Sequence, residues 1–162
     1  MVIDEAVNPE SLYVKNNVGK ARYYGFDLSF QIKLCKSLFG GTLSYVNARD
    51  TENDVPLPQI PPLNGTLTIN APITDLLNFT LCGTFYADQN DTAPDEKRTP
   101  GYAVYALRLQ SRSVNLKSTK LRIYAGVENI FDRKYRNHLS TYRGISVAEP
   151  GRNFYLKISF NW

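Results

Sequence analysis

From residue 21 onward, large apolar residues occupy every second position in seven stretches of the chain. The clearest stretch is YYGFDLSFQIKL, residues 23–34, in which the even positions are apolar and the odd positions are mostly polar. A period of two places successive side chains on opposite faces of a β-strand, and helical spacing is nearly absent. The chain is therefore predicted to be all-β, an antiparallel meander of strands with one apolar and one polar face. The other predicted strands lie in FGGTLSYVNARD, NGTLTINAPI, LNFTLCGTFYAD, YAVYALRLQSR, LRIYAGVE and GRNFYLKISFNW.

Short and long connections alternate between these strands. The short ones fall near residues 35–38, 73–76 and 113–118, and the long ones at 50–61, 88–100 and 132–150. Short turns at one end of a meander and long loops at the other are typical of a transmembrane β-barrel. Residues 12–20 either extend the first strand or form an earlier one, so seven or eight strands are expected.

The composition of the polar face indicates which face meets solvent. It is rich in Thr, Ser, Asn, Gln and Tyr with isolated charges, whereas the exterior of a soluble domain carries more Lys and Glu. The alternating runs also have the roughly 9–11 residues that a tilted strand needs to cross a bilayer. These features favour a membrane barrel with its apolar face toward lipid. A soluble lipocalin-like binder with the apolar face inward is the alternative.

Charge and composition exclude several classes of function. The net charge of +4 is scattered without a dense Lys/Arg cluster, which argues against nucleic-acid binding. One His and two Cys residues offer no metal-ligand spacing, and no catalytic constellation is present, so we expect neither an enzyme nor a resident metal or cofactor. No apolar run reaches the length of about 18 residues that a transmembrane helix requires.

Five stretches, in this order, carry a family likeness: YVKNNVGKARYYGFDLSF, PLPQIPPLNGTL, TPGYAVYALRL, GVENIFDRKYRNHLS and PGRNFYLKISFNW. With them the chain resembles the C-terminal part of the barrel of TonB-dependent outer-membrane receptors. VENIFD followed by a Tyr is the most diagnostic stretch, and Asp27, where the family commonly has Glu, is a conservative departure. The resemblance implies a barrel of about 22 strands in the outer membrane of a Gram-negative cell, with an N-terminal plug domain inside the barrel.

The resemblance also implies a function and partners. Receptors of this kind take up scarce nutrients such as iron–siderophores, haem, cobalamin, other metal chelates or glycans, with energy passed through TonB. Residues 1–162 are expected to hold about seven or eight barrel strands, without the plug domain or the signal peptide. A different class stays open: a stand-alone eight-stranded outer-membrane barrel with a structural or adhesive role, if residues 1–16 close against the last strand.

The last strand is a candidate assembly signal. Outer-membrane barrels typically end on an aromatic residue preceded by alternating apolar residues, and the barrel assembly machinery is thought to recognise this strand. The apolar positions of the strand would face membrane lipid. They are Phe154, Leu156, Ile158, Phe160 and Trp162.

Two further groups are candidate contacts. His138, Tyr142 and Arg143 lie in the longest loop, either as ligand contacts or in a loop that packs against its neighbours. Charged residues on the polar face either contact the plug or pair with one another across adjacent strands. These are Asp27, Arg108, Arg122 and Glu128. The VENIFD stretch is expected to be structural, with Ile130, Phe131 and Tyr135 at the barrel rim and Asp132 at the bend.

Overall fold

The computed structural model describes residues 2–8, 12–17, 19–94, 96–142 and 145–162. In these ranges every regular element is a β-strand. None of the described residues forms a helix of the length and apolarity needed to span a membrane. The strands, numbered along the chain, are β1 (Val2–Asn8), β2 (Leu12–Asn17), β3 (Ala21–Leu34), β4 (Ser37–Asp50), β5 (Val55–Pro56), β6 (Asn64–Pro72), β7 (Leu77–Tyr86), β8 (Tyr102–Ser111), β9 (Val114–Leu116), β10 (Thr119–Glu128), β11 (Arg136–Tyr142), β12 (Ile145–Ala148) and β13 (Asn153–Asn161).

The seven predicted strands form one antiparallel sheet. Its order is β13-β10-β8-β7-β6-β4-β3, so each strand pairs with the next predicted strand along the chain. The short strands β5 and β9 add to β4 and β10. The predicted all-β meander is confirmed. In the described part of the chain, β3 and β13 have no partner on their outer sides, so the sheet is not closed into a barrel.

The first two strands form a separate hairpin. β2 pairs with β1 from Val2 opposite Asn17 onward and does not continue β3. Of the two alternatives for residues 12–20, the structure therefore shows the earlier strand. Among the described residues β13 pairs with β10 alone, and the closure that a stand-alone eight-stranded barrel requires is not formed.

Direct cross-strand pairing joins the apolar faces of all seven strands. In an antiparallel sheet, residues that lie opposite each other point to the same face. One row of opposed residues crosses the whole sheet and is apolar in every strand. Large side chains on this face, such as Leu81 and Phe154, are exposed. The row runs through Ile32, Phe39, Ile69, Leu81, Leu107, Val127 and Phe154.

The opposite face is polar. A second row, displaced from the first by one residue in every strand, crosses the same strands with mostly polar residues. It runs through Lys33, Leu38, Asn70, Thr80, Arg108, Gly126 and Tyr155. Within this row the side chain of Asn70 donates a hydrogen bond to Thr80 Oγ1 at 2.7 Å. A sheet with these two faces separates an apolar environment from a polar one.

Four strand glycines each lie opposite an aromatic residue. The ring crosses over the glycine, so that a Cβ added at Gly83 would lie 3.1 Å from Tyr105 Cε1. An aromatic side chain that covers a cross-strand glycine compensates for the packing the glycine lacks. The other pairs are Gly41 with Phe30, Gly65 with Phe85 and Gly126 with Tyr155.

The connections at the two ends of the sheet differ as predicted. Residues 35–36, 73–76 and 117–118 make the short turns, the last of them near the end of the predicted 113–118 because β9 pairs with the start of β10. The other end carries loop A (residues 51–63), loop B (residues 87–101) and loop C (residues 129–152). These loops contain structure of their own: β5, a β-bridge between Gln89 and Thr99, and the hairpin of β11 and β12.

Candidate functional site

The loop end of the sheet holds most of the buried residues of the described chain. Leu57 of loop A is 1% exposed, and its N–H donates to Ala48 O at 2.9 Å. Gln89 and Thr99 of loop B and His138 of loop C are buried polar residues. Since buried polar groups need partners, the contacts of these side chains decide how the loops are held together.

His138 joins loop B to loop C. Its side chain is 2% exposed, and Nδ1 lies 3.0 Å from Thr99 Oγ1. Nε2 lies 3.1 Å from Glu96 Oε1 but is not aligned for a hydrogen bond. A contact between His138 and a ligand stays a prediction. The side chain of Tyr142 and the whole of Arg143 lie outside the described residues, so the predictions for them stay predictions too.

Glu96 contacts all three loops, a role that no sequence pattern predicted. Oε1 accepts the backbone N–H of Gln59 in loop A at 2.9 Å, and Oε2 accepts that of Ala93 in its own loop at 3.3 Å. A further link between loops A and B is the Gln89 side chain, whose Nε2 donates to Ile60 O at 2.7 Å. A single acid in a loop rich in Asp and Asn carries no sequence signal of this role.

Arg49 ties the end of β4 to the same loops. Its two terminal nitrogens each lie 3.2 Å from a carboxylate, one from Asp54 and one from Asp91. Asn47 donates to the second oxygen of Asp91, also at 3.2 Å. Because Arg49 and both acids are partly or largely exposed, each ion pair contributes only about 0–1 kcal/mol.

Asn129, at the end of β10, holds the VENIFD bend together. The residue is buried with a φ of 50°, a left-handed conformation that asparagine tolerates better than most residues. Oδ1 accepts the N–H of Arg133 at 2.9 Å, while Nδ2 donates to Arg133 O at 2.8 Å and to Pro150 O at 3.3 Å. Asp132 Oδ1 accepts the N–H of Arg152 at 2.8 Å. The bend is thereby tied to the segment that enters β13.

Three tyrosines stack beside this bend. The ring of Tyr102 lies 4.9 Å from that of Tyr86 and 4.4 Å from that of Tyr135. Burial, followed by the carboxylate of Glu149, raises the pKa of the Tyr135 phenol above its ordinary value. Tyr135 therefore stays neutral at physiological pH and acts in the stack as a packing group.

The charged candidates on the polar face fall into separate groups. Arg108 and Glu128 form an ion pair on β8 and β10, with Nε 3.0 Å from Oε1. Asp27, on β3 at the far side of the sheet, accepts a hydrogen bond from the hydroxyl of Ser44. Arg122 donates to Tyr124 Oη at 3.3 Å. The structure thus brings Arg108 and Glu128 together and places the other two elsewhere on the same face.

Replacing Arg108 with alanine is expected to lower the free energy of unfolding by less than about 1 kcal/mol, because the pair is exposed enough for water to screen it. The side chains are 50% and 38% exposed. Urea unfolding of the purified receptor that contains this chain measures the change. Glu128→Gln is the matched variant, and a loss above about 2 kcal/mol in either one would show that the pair is not screened.

A cavity of about 270 Å³ opens on the polar face where β8 and β10 meet loop C. Its lining combines polar and apolar residues and contains no cluster of charged side chains. Among the described residues, no group of three or more His, Cys, Asp or Glu side chains could hold a metal ion. The lining includes Cys82, Thr84, Ala106, Glu128, Tyr135 and Asn153.

The apolar side chains of the candidate assembly signal lie on the apolar face of the sheet. In β13 the alternate residues Tyr155 and Ser159 are half-buried on the polar face. Nearer the loop end of the sheet, aromatic pairs lie on the apolar side, with Phe26 5.9 Å from Tyr45 and Tyr105 5.6 Å from Phe131. Paired aromatics at this level are typical of a membrane interface. The five apolar residues of the candidate assembly signal, four in β13 and Trp162 directly after it, are all exposed: Phe154, Leu156, Ile158, Phe160 and Trp162.

The model of a protein family described as TonB dependent receptor-like, beta-barrel matches residues 2–130. No curated protein matches the chain. Among solved structures, the chain is similar to the copper transporter OprC at 26% identity, with a TM-score of 0.84. This similarity covers 96% of the chain and 26% of OprC.

Two further solved structures share the fold. The ferric citrate transporter FecA in its unliganded form is 22% identical with a TM-score of 0.70, over 86% of this chain and 24% of FecA. A variant of the ferric enterobactin receptor PfeA from Pseudomonas aeruginosa is 22% identical with a TM-score of 0.68, over 98% of this chain and 26% of PfeA. The chain spans about a quarter of the length of these structures.

Proposed function

Because the chain belongs to the TonB-dependent receptor β-barrel family, we propose that it is the C-terminal part of the barrel of a receptor for nutrient uptake across the outer membrane. The observation that carries this proposal is the apolar row from Ile32 to Phe154, which crosses all seven strands and which no other element covers in the described part of the chain. A soluble lipocalin-like domain would bury this face in its own core. Lipid is the environment that suits it.

A metal ion or a metal chelate is the cargo class that the similar structures support. Their names specify copper, ferric citrate and ferric enterobactin, and none of these three names haem, cobalamin or a glycan. The described residues contain no metal-binding cluster. In this proposal a chelated metal is held by groups in the rest of the receptor together with the loop end of this segment.

The partners follow from the same proposal. Receptors of this family generally have a plug domain and act with TonB. The polar face, with Asp27, Arg108, Arg122 and Glu128, is the surface that would face the plug, and the apolar face would contact lipid. Strand β13, together with Trp162 directly after it, would be recognised by the barrel assembly machinery. The family is one of receptors and transporters, which argues against an enzymatic role.

The test is an uptake measurement with the receptor that contains this chain. It is expressed in a Gram-negative host that lacks its own ferric receptors, with and without TonB, and is offered radiolabelled ferric citrate, a ferric catecholate chelate and copper. We expect at least one cargo to accumulate and its accumulation to fall to background without TonB. Recovery of the receptor in a soluble fraction, or uptake independent of TonB, would contradict the proposal.

A further inference from the structure

The three long loops contact one another through polar groups, of which Glu96, Thr99 and His138 are mostly or fully buried. Glu96, whose side chain is 13% exposed, accepts from Gln59 of loop A with the same oxygen that faces His138 of loop C. Thr99, also buried, contacts the other ring nitrogen of His138. One carboxylate and one imidazole therefore connect all three loops.

We propose that Glu96 and His138 are positioning residues that lock loops A, B and C into one fixed wall. Opening loop A removes the Gln59 N–H from the Glu96 carboxylate, and separating loops B and C removes Thr99 from the His138 imidazole. A buried polar group that loses a partner costs more than a broken exposed contact. Loops A and B are joined further by the hydrogen bond from Gln89 to Ile60 and by the ion pairs of Arg49 with Asp54 and Asp91.

This wall has a consequence for ligand capture, which rests on the proposed uptake function. Loops that are locked in the absence of ligand do not close over it. Any closing movement then belongs to parts of the receptor other than these three loops. Within the wall, Glu96 and His138 set where the exposed loop side chains stand relative to the ligand.

Limited proteolysis tests the lock independently of transport. Trypsin cleaves after Lys97 and Arg98, two exposed residues between Glu96 and the buried Thr99, and cleavage requires local opening of loop B. In the purified receptor, we expect Glu96→Ala and His138→Ala to speed cleavage here about ten- to hundredfold over wild type. Glu96→Gln, which keeps an acceptor for the Gln59 N–H, is expected to stay within about threefold of wild type.

The matched control is Asn90→Ala, an exposed position in the same loop. It should leave the cleavage rate unchanged, and all variants should keep the heat-modifiable migration of a folded barrel in gel electrophoresis. Equal cleavage of wild type, Glu96→Ala and His138→Ala would overturn the lock. So would equally fast cleavage of Asn90→Ala, because the rate would then report any change in loop B. Failure of the uptake test would leave these rates unaffected, so the two proposals fail separately.

Discussion

Replacing Asn129 with alanine is expected to lower the free energy of unfolding by about 3 kcal/mol. The side chain makes hydrogen bonds to both backbone groups of Arg133 and to Pro150 O. Alanine removes these bonds, and it adopts the left-handed conformation at a φ of 50° less readily than asparagine, which adds roughly 1 kcal/mol. Urea unfolding of the purified receptor measures the loss.

Two variants separate the causes. Asn129→Gly removes the same hydrogen bonds but tolerates the left-handed backbone, so it should recover about 1 kcal/mol relative to alanine. Asn115→Ala, at an exposed position in β9, is the matched asparagine control and should stay within about 0.5 kcal/mol of wild type. If Asn129→Ala were no worse than this control, the bend would not depend on Asn129.

Leu67→Arg is expected to destabilise the receptor in lipid bilayers by about 2–4 kcal/mol, because an arginine is placed in hydrocarbon near the middle of a membrane-spanning strand. Leu67 lies in the central part of β6 and is 56% exposed on the apolar face, opposite Gly41 and Gly83. The measurement is urea unfolding of the receptor in phosphatidylcholine vesicles.

The control for this prediction is the preceding residue. Thr66 lies at nearly the same depth in β6 but on the polar face, opposite Thr42 and Thr84. Thr66→Arg should cost less than about 1 kcal/mol because the interior of a barrel accommodates charge. Equal losses for the two variants would contradict the assignment of the apolar face to lipid.

The strands were predictable because their signal is local and repeated. In β3 the alternation from Tyr24 to Leu34 extends over nearly the whole strand, and a slip of one residue would turn every apolar side chain to the wrong face. Where the pattern is short the prediction was coarser. The stretch at 113–118 was predicted as a short connection, but it contains β9, which is defined by its pairing with Thr119 and the residues after it.

The site was less predictable than the strands. His138 stood out as the single histidine, but its burial against Thr99 joins residues 39 positions apart. Glu96 and Asn129 act through backbone groups of Gln59 and Pro150, and a backbone group carries no identity in the sequence. Such contacts depend on which loop ends the sheet brings side by side.

The alternation of residue types along the chain was enough to predict the all-β class, the order of the seven main strands and the side chains on each of their faces, because a period of two links the identity of a residue to the face on which it lies. The contacts between the loops required the three-dimensional structure. The register of the strands set loops A, B and C against one another and so brought Glu96, Thr99 and His138 together. Those contacts arise from the three-dimensional meeting of distant segments, for which no local pattern exists.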